Sequence, residues 1–169
     1  MLKARARGSL RSNHSPAALA TLAAAIHATR LAGLATRRAL AAPLLWVLHL
    51  AYAWLAAGLL LHALAVLGLI PLTLARHALT IGAFGGMTLG MMARVALGHT
   101  GRDLVTAPQT NLAFALANLA VLARVALPLA APSTYAASIQ LAGALWIAAF
   151  LIFTVTYFPI LISPRPRPE

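Results

Sequence analysis

An all-α, polytopic transmembrane bundle of five helices, four or five of them spanning, is the fold class predicted for this 169-residue chain. The first observation behind it is composition: 62% of residues are hydrophobic and 9% charged, with a mean hydropathy of +0.87, far outside the soluble range. The second is arrangement. The apolar residues fall in runs of about 20 or more, the length that crosses the hydrocarbon core as a helix. The third is that no segment alternates strictly between apolar and polar, which argues against strands.

Taken in order, residues 1–15 form a basic N-terminal tail, 16–162 the helical bundle and 163–169 a Pro/Arg tail. Segment 16–35 is the weakest candidate span, being rich in alanine rather than leucine and carrying His27 and Arg30. The stretch MLKARARGSLRSNHSPAALATLAAA also reads as a signal peptide, with a basic start and an alanine-rich apolar region. Segments 43–69, 74–98, 107–131 and 134–158 are stronger. Pro43 opens the first of these where its missing N–H costs nothing, and Gly68 with Pro71 closes it. Thr73 is expected to cap the next, Gly98 and Gly101 to end it, and Thr106 with Pro108 to start the fourth. Pro132-Ser133 separates the last two, and Pro159, Pro164, Pro166 and Pro168 are expected to stop the fifth.

The formal charge of +11 comes from 13 Lys and Arg against only two acids, Asp103 and Glu169. The basic residues cluster at boundaries: Lys3, Arg5, Arg7 and Arg11, then Arg37 and Arg38, then Arg165 and Arg167. That placement marks membrane edges and leaves no nucleic-acid surface. With two acids so placed, a paired-carboxylate mechanism has no parts. The absence of cysteine excludes disulfides, thiolate metal sites and thiol nucleophiles. The Arg and Lys asymmetry places Arg37, Arg38, the GHTGR turn at 98–102 and the C-terminus on the cytoplasmic side.

Residues 77–102 concentrate the chemistry. Gly82, Gly86 and Gly90 repeat every fourth residue, a small-residue row for close helix packing or for a groove that accepts a flat ligand. On this reading Gly86→Leu is far more disruptive than Leu89→Ala. Arg94 either snorkels to the interface or holds an anionic group. Met87, Met91 and Met92 fill gaps or offer thioethers. Without thiolates, imidazole is the main metal-binding resource, suited to haem iron and copper. His77 and His99 lie about 33 Å apart along a helix and cannot share an ion. His49 falls nearer in depth to Arg94 and His99, and His62 nearer to His77. Each is either a ligand or a polar group satisfied locally, and nothing in the pattern singles out His14 or His27. Trp46 and Tyr157 read as interfacial anchors, Tyr52 and Trp54 as pocket walls or core. Asn111, Asn118 and Arg124 need partners inside the bundle, Arg124 being a second candidate for an anion or for pairing with another chain.

PLLWVLHLAYAWLAAGLLL at 43–61 followed by RHALTIGAFGGMTLGMMARVALGHTGR at 76–102 resembles the C-terminal part of the NnrS family of bacterial inner-membrane proteins. The stretch before His14 does not share the resemblance. What the resemblance implies is a multi-pass protein of the bacterial inner (cytoplasmic) membrane that contains haem and copper and is linked to denitrification and the nitric oxide (nitrosative stress) response. On that pattern His49, His77, Arg94 and His99 are the cofactor-binding positions, with the three histidines as metal ligands. A truncated or split form is also implied, with the N-terminal half as a separate chain. The role is that of a binding protein more than an enzyme. The alternatives are a transporter segment for an anionic solute or an inactive structural fragment. A periplasm-dependent reporter fused after Glu169 is expected to be silent, and strong activity would reverse the topology.

Overall fold

Proline and glycine, not side-chain caps, set the ends of the helices. The computed structural model describes residues 2–34 and 41–165, with side chains from Ser15 onward. Its helices are α1 (Leu2–Leu34), α2 (Pro43–Val66), α3 (Leu72–His99), α4 (Pro108–Ala130) and α5 (Tyr135–Ile162), the last entered through a 3₁₀ turn at Pro132–Thr134. Lys3, Arg5, Arg7, Arg11 and His14 belong to the stretch whose side chains are not described, and Arg37, Arg38, Arg167 and Glu169 lie outside the described residues. Pro43 and Pro108 sit at the first helical position of α2 and α4, where no N–H is required. At the far end of α2, Gly68 takes φ +75, its N–H reaches Ala65 O, and Leu69 N–H reaches Leu64 O. This is a Schellman cap, which needs a left-handed residue and so a glycine.

Three boundary expectations are corrected. Thr73 does not cap α3, whose N-cap is Pro71 without a side-chain hydrogen bond. The N-cap of α4 is Ala107, and Thr106 instead donates to Asn111 Oδ1 at 2.7 Å. Pro159 does not stop α5, which continues to Ile162, with Ser163 N–H bonded to Pro159 O. A proline this close to a helix end removes a single backbone hydrogen bond, and the apolar Ile160, Leu161 and Ile162 keep the last turn helical in lipid. At the other end, the backbone of α1 is already helical from Leu2, while its apolar span is Ser15–Leu34.

All five spans, Ser15–Leu34, Pro43–Val66, Leu72–His99, Pro108–Ala130 and Pro132–Ile162, are long and apolar enough to cross a membrane. Large side chains such as Ile147, Val155 and Phe158 point outward, as lipid requires. The α2–α3 pair is antiparallel: Val47, Ala51 and Trp54 meet Gly90, Gly86 and Gly82 in reverse order, and Gly58 receives Leu79. A second antiparallel pair, α4–α5, is tied by Thr110 to Tyr157 at one end and Arg124 to Tyr135 at the other. The core lies between the pairs, around Val47, Leu89, Ala93, Phe114, Ala149 and Phe153. Helix α1 packs mainly on α2.

One aromatic expectation changes here. Tyr157 is no interfacial anchor: it is 2% exposed, stacks on Phe153 and receives a hydrogen bond from Thr110. Trp46 packs edge-on against Phe114 at the rim of the core.

Within α3, Ala78–Gly85 winds as a π-helix between α-helical Leu72–His77 and Gly86–His99. Indoles lie over this stretch from two sides. A Cβ on Gly82 would come within 2.6 Å of Trp54, and one on Gly85 within 2.5 Å of Trp146. The expected backbone-to-backbone approach holds at Gly86, opposite Ala51, whereas Gly82 and Gly90 accept side chains. Leu89 is fully buried, so Leu89→Ala opens a cavity costing about 2–5 kcal/mol and is not the mild change expected from sequence. Gly98, with nothing within 4 Å of an added Cβ, is the tolerant position. Gly86→Leu is expected to lower stability by about 1–3 kcal/mol through overpacking and Gly98→Leu by less than about 0.5 kcal/mol, read as thermal midpoints in detergent.

Candidate functional site

A groove of about 420 Å³ opens where α1, α2 and α3 meet, lined by Leu31, Leu34, Leu48, His49, Tyr52, Met87 and Met91. Its walls are apolar apart from the imidazole, the tyrosine and the two thioethers. His49 Nδ1 lies 2.7 Å from Leu45 O and Nε2 3.1 Å from Leu34 O. A neutral imidazole has one N–H and one lone pair, so only one of these contacts is a hydrogen bond. The other nitrogen faces an acceptor it cannot bond, and turning away from it would present its lone pair to the groove.

A second groove, about 280 Å³, is lined by Met91, Arg94, Val95, Gly98, His99 and Leu104. Met91 belongs to both. Arg94 and His99 are exposed and therefore share one surface, at the same end of the bundle as His49. His77 stands at the opposite end, half-buried, with Nδ1 at hydrogen-bond distance of Thr73 O. When Nδ1–H donates there, Nε2 carries the lone pair, the arrangement that second-shell carbonyls impose on ligating histidines. No group of three His, Asp or Glu residues able to hold a metal ion occurs among the described residues. His49, His77 and His99 are thus not brought together, and the π-helical stretch separates His77 from the other two.

Sequence reasoning passed over His27, whose Nδ1 lies 2.7 Å from Tyr52 Oη with the rings edge-on at 5.4 Å. The contact fixes α1 on α2 and orients a residue that lines the first groove. Its signal was present: His27, Leu31 and Leu34 share one helical face. Trp54, open to either reading from sequence, is structural. Its Nε1–H donates to Asn118 Oδ1 at 3.2 Å, while Asn118 Nδ2 donates to Phe114 O at 2.9 Å.

The GHTGR turn is architecture. Gly101 takes φ +70, Gly101 N–H bonds Gly98 O, and Arg102 N–H bonds Leu97 O, a second Schellman cap. Thr100 Oγ1 donates to Ala96 O, and Arg102 Nη1 to Ile160 O at 3.3 Å. Residue 164 is a proline and has no N–H for that carbonyl, so the guanidinium supplies what the chain cannot and places positive charge at the C-terminal end of α5.

Five apolar helices in two antiparallel pairs with one peripheral helix, and largely apolar grooves opening along α3, define a multi-pass α-helical membrane protein. Comparison with protein families narrows the class. The model for the NnrS protein family matches residues 4–165, and the chain belongs to the NnrS family. Because the match begins at residue 4, the stretch before His14 shares the resemblance, contrary to the expectation from its polar composition. No curated protein and no solved structure gives a significant match. Gly101→Ala is expected to cost about 1–2 kcal/mol, the strain of a left-handed Cβ, while Gly98→Ala is neutral or stabilising; equal thermal midpoints would contradict the cap.

Proposed function

We propose that this chain acts as an NnrS-type protein of the bacterial inner membrane that binds haem or copper and serves the response to nitric oxide, as a binding protein rather than an enzyme. The observation that carries the reading is the apolar groove holding His49, Met87 and Met91, joined at Met91 to the surface that bears Arg94 and His99. Imidazole and thioethers in apolar surroundings suit haem iron and copper(I), and the donor set therefore fits the group. His49 would hold the metal through the nitrogen released from its carbonyl contact, with Met87 or Met91 beside it. Arg94 would hold a propionate, since a guanidinium binds carboxylates in a two-pronged fork. His99 and His77 remain candidate ligands at their own levels. Haem, if bound, would supply a metal centre able to take up a small ligand such as nitric oxide. The chain's own part is to bind, to orient and to exclude water: Leu31, Leu34 and Leu48 wall the groove, and His27 holds Tyr52 in place. The transporter reading has less support, because each span among the described residues is continuous.

Reconstitution with haem tests the reading. His49→Ala is expected to abolish the histidine-type Soret band. Arg94→Lys is expected to leave it present but to weaken retention about tenfold, because an ammonium keeps the charge and loses the fork. Haem content equal to wild type in His49→Ala, His77→Ala and His99→Ala alike would remove all three as ligands.

A further inference from the structure

Arg124 sits in α4 with 6% of its surface exposed, inside a membrane span. A guanidinium carries a permanent charge and five N–H donors and accepts nothing. One of its terminal nitrogens, Nη2, donates to Tyr135 Oη at 3.1 Å, and the Tyr135 ring covers the guanidinium carbon at 4.8 Å. The other, Nη1, is fully buried and has no hydrogen-bond partner. No acceptor among the described residues bonds it, and Ser138, one turn along α5 from Tyr135, turns its hydroxyl hydrogen to Tyr135 O. Neighbouring Val121 and Val125 are buried in an apolar cluster with Ala78 and offer nothing polar.

The charge cannot be balanced from within the described chain. Its sole acid there is Asp103, in the exposed turn at the opposite end of the bundle. An unpaired buried charge costs several kcal/mol, and a buried donor without an acceptor adds to that. Both costs disappear if one negatively charged acceptor reaches Nη1. We infer that Arg124 and Tyr135 form a binding site for a small monovalent anion, a carboxylate or planar oxyanion, at the end of the bundle away from the GHTGR turn. The size limit follows from burial around Nη1, and the preference for an oxygen anion from the paired N–H geometry of the guanidinium. Tyr135 is 43% exposed, so rotation of its ring opens the way in, and its hydroxyl holds the guanidinium in register. The site is separate from the His49 groove and does not depend on a cofactor.

The test is thermal unfolding of the full chain in detergent, titrated with sodium formate or sodium nitrate against sodium gluconate at constant sodium. A saturable rise of several degrees is expected in the wild type. Arg124→Gln is expected to remove the concentration dependence, and Tyr135→Phe to raise the half-saturating concentration by about three- to tenfold. A wild-type midpoint that ignores both anions would mean that water or lipid meets Nη1, and would overturn the proposal. So would a rise that persists in Arg124→Gln. Should that variant not fold, an unchanged half-saturating concentration in Tyr135→Phe overturns it equally.

Discussion

Between α2 and α3 the helices come so close that one added carbon at Gly58, Gly82 or Gly90 would collide with the facing side chain, and the positions of most other groups follow from that contact. Lipid gives no hydrophobic reward for bringing two helices together, so close dispersion contact along a small-residue face has to supply the association. Once Trp54 is seated over Gly82, its N–H points at Asn118 and draws α4 into the same layer. The register that results leaves Met87 and Met91 beside His49, at the edge where α1 crosses α2. Packing and the candidate binding surface are thus two sides of one helix, α3.

Several threonines within the spans follow one pattern, on lipid-facing and half-buried positions alike. Thr21, Thr80, Thr154 and Thr156 each return a hydrogen bond to the carbonyl four residues earlier, and Asn118 does the same. Such local satisfaction costs the bundle little and ties no helix to another. Among the described residues the polar contacts between segments are few: Trp54–Asn118, Thr110–Tyr157, His27–Tyr52, His49–Leu34, Arg102–Ile160 and Arg124–Tyr135. Among them Arg124 brings a full charge into the span and leaves part of it unmet, a cost that a chain with so few acids cannot offset internally.

Much of the architecture was legible in the sequence because the membrane imposes lengths and glycine and proline impose ends. The spans follow from apolar run lengths, and Gly68 and Gly101 mark the caps. What could not be read depends on neighbours. Tyr157 resembles an interfacial anchor until α4 places Thr110 against it. Pro159 looks like a stop until its distance from the helix end is known. The π-helical stretch has no one-dimensional signature: Ala78–Gly85 reads as ordinary helix, and its winding accompanies indoles arriving from α2 and α5. The candidate site was legible residue by residue, in His49, Met91, Arg94 and His99, but not in its grouping. Helical period places a residue on a face; it does not say which helix covers that face.

In the π-helical stretch each N–H reaches back five residues rather than four, so the backbone there stands one hydrogen-bond position away from regular winding. A slip of one residue would convert one register to the other without breaking the helix. It would also turn everything before it by about 100° around the axis relative to Gly86–His99. Arg76 and His77 would swing to a different neighbour while Arg94 and His99 stayed in place. The two ends of α3 thus meet at a joint of π-helical winding, over which the indoles of Trp54 and Trp146 lie.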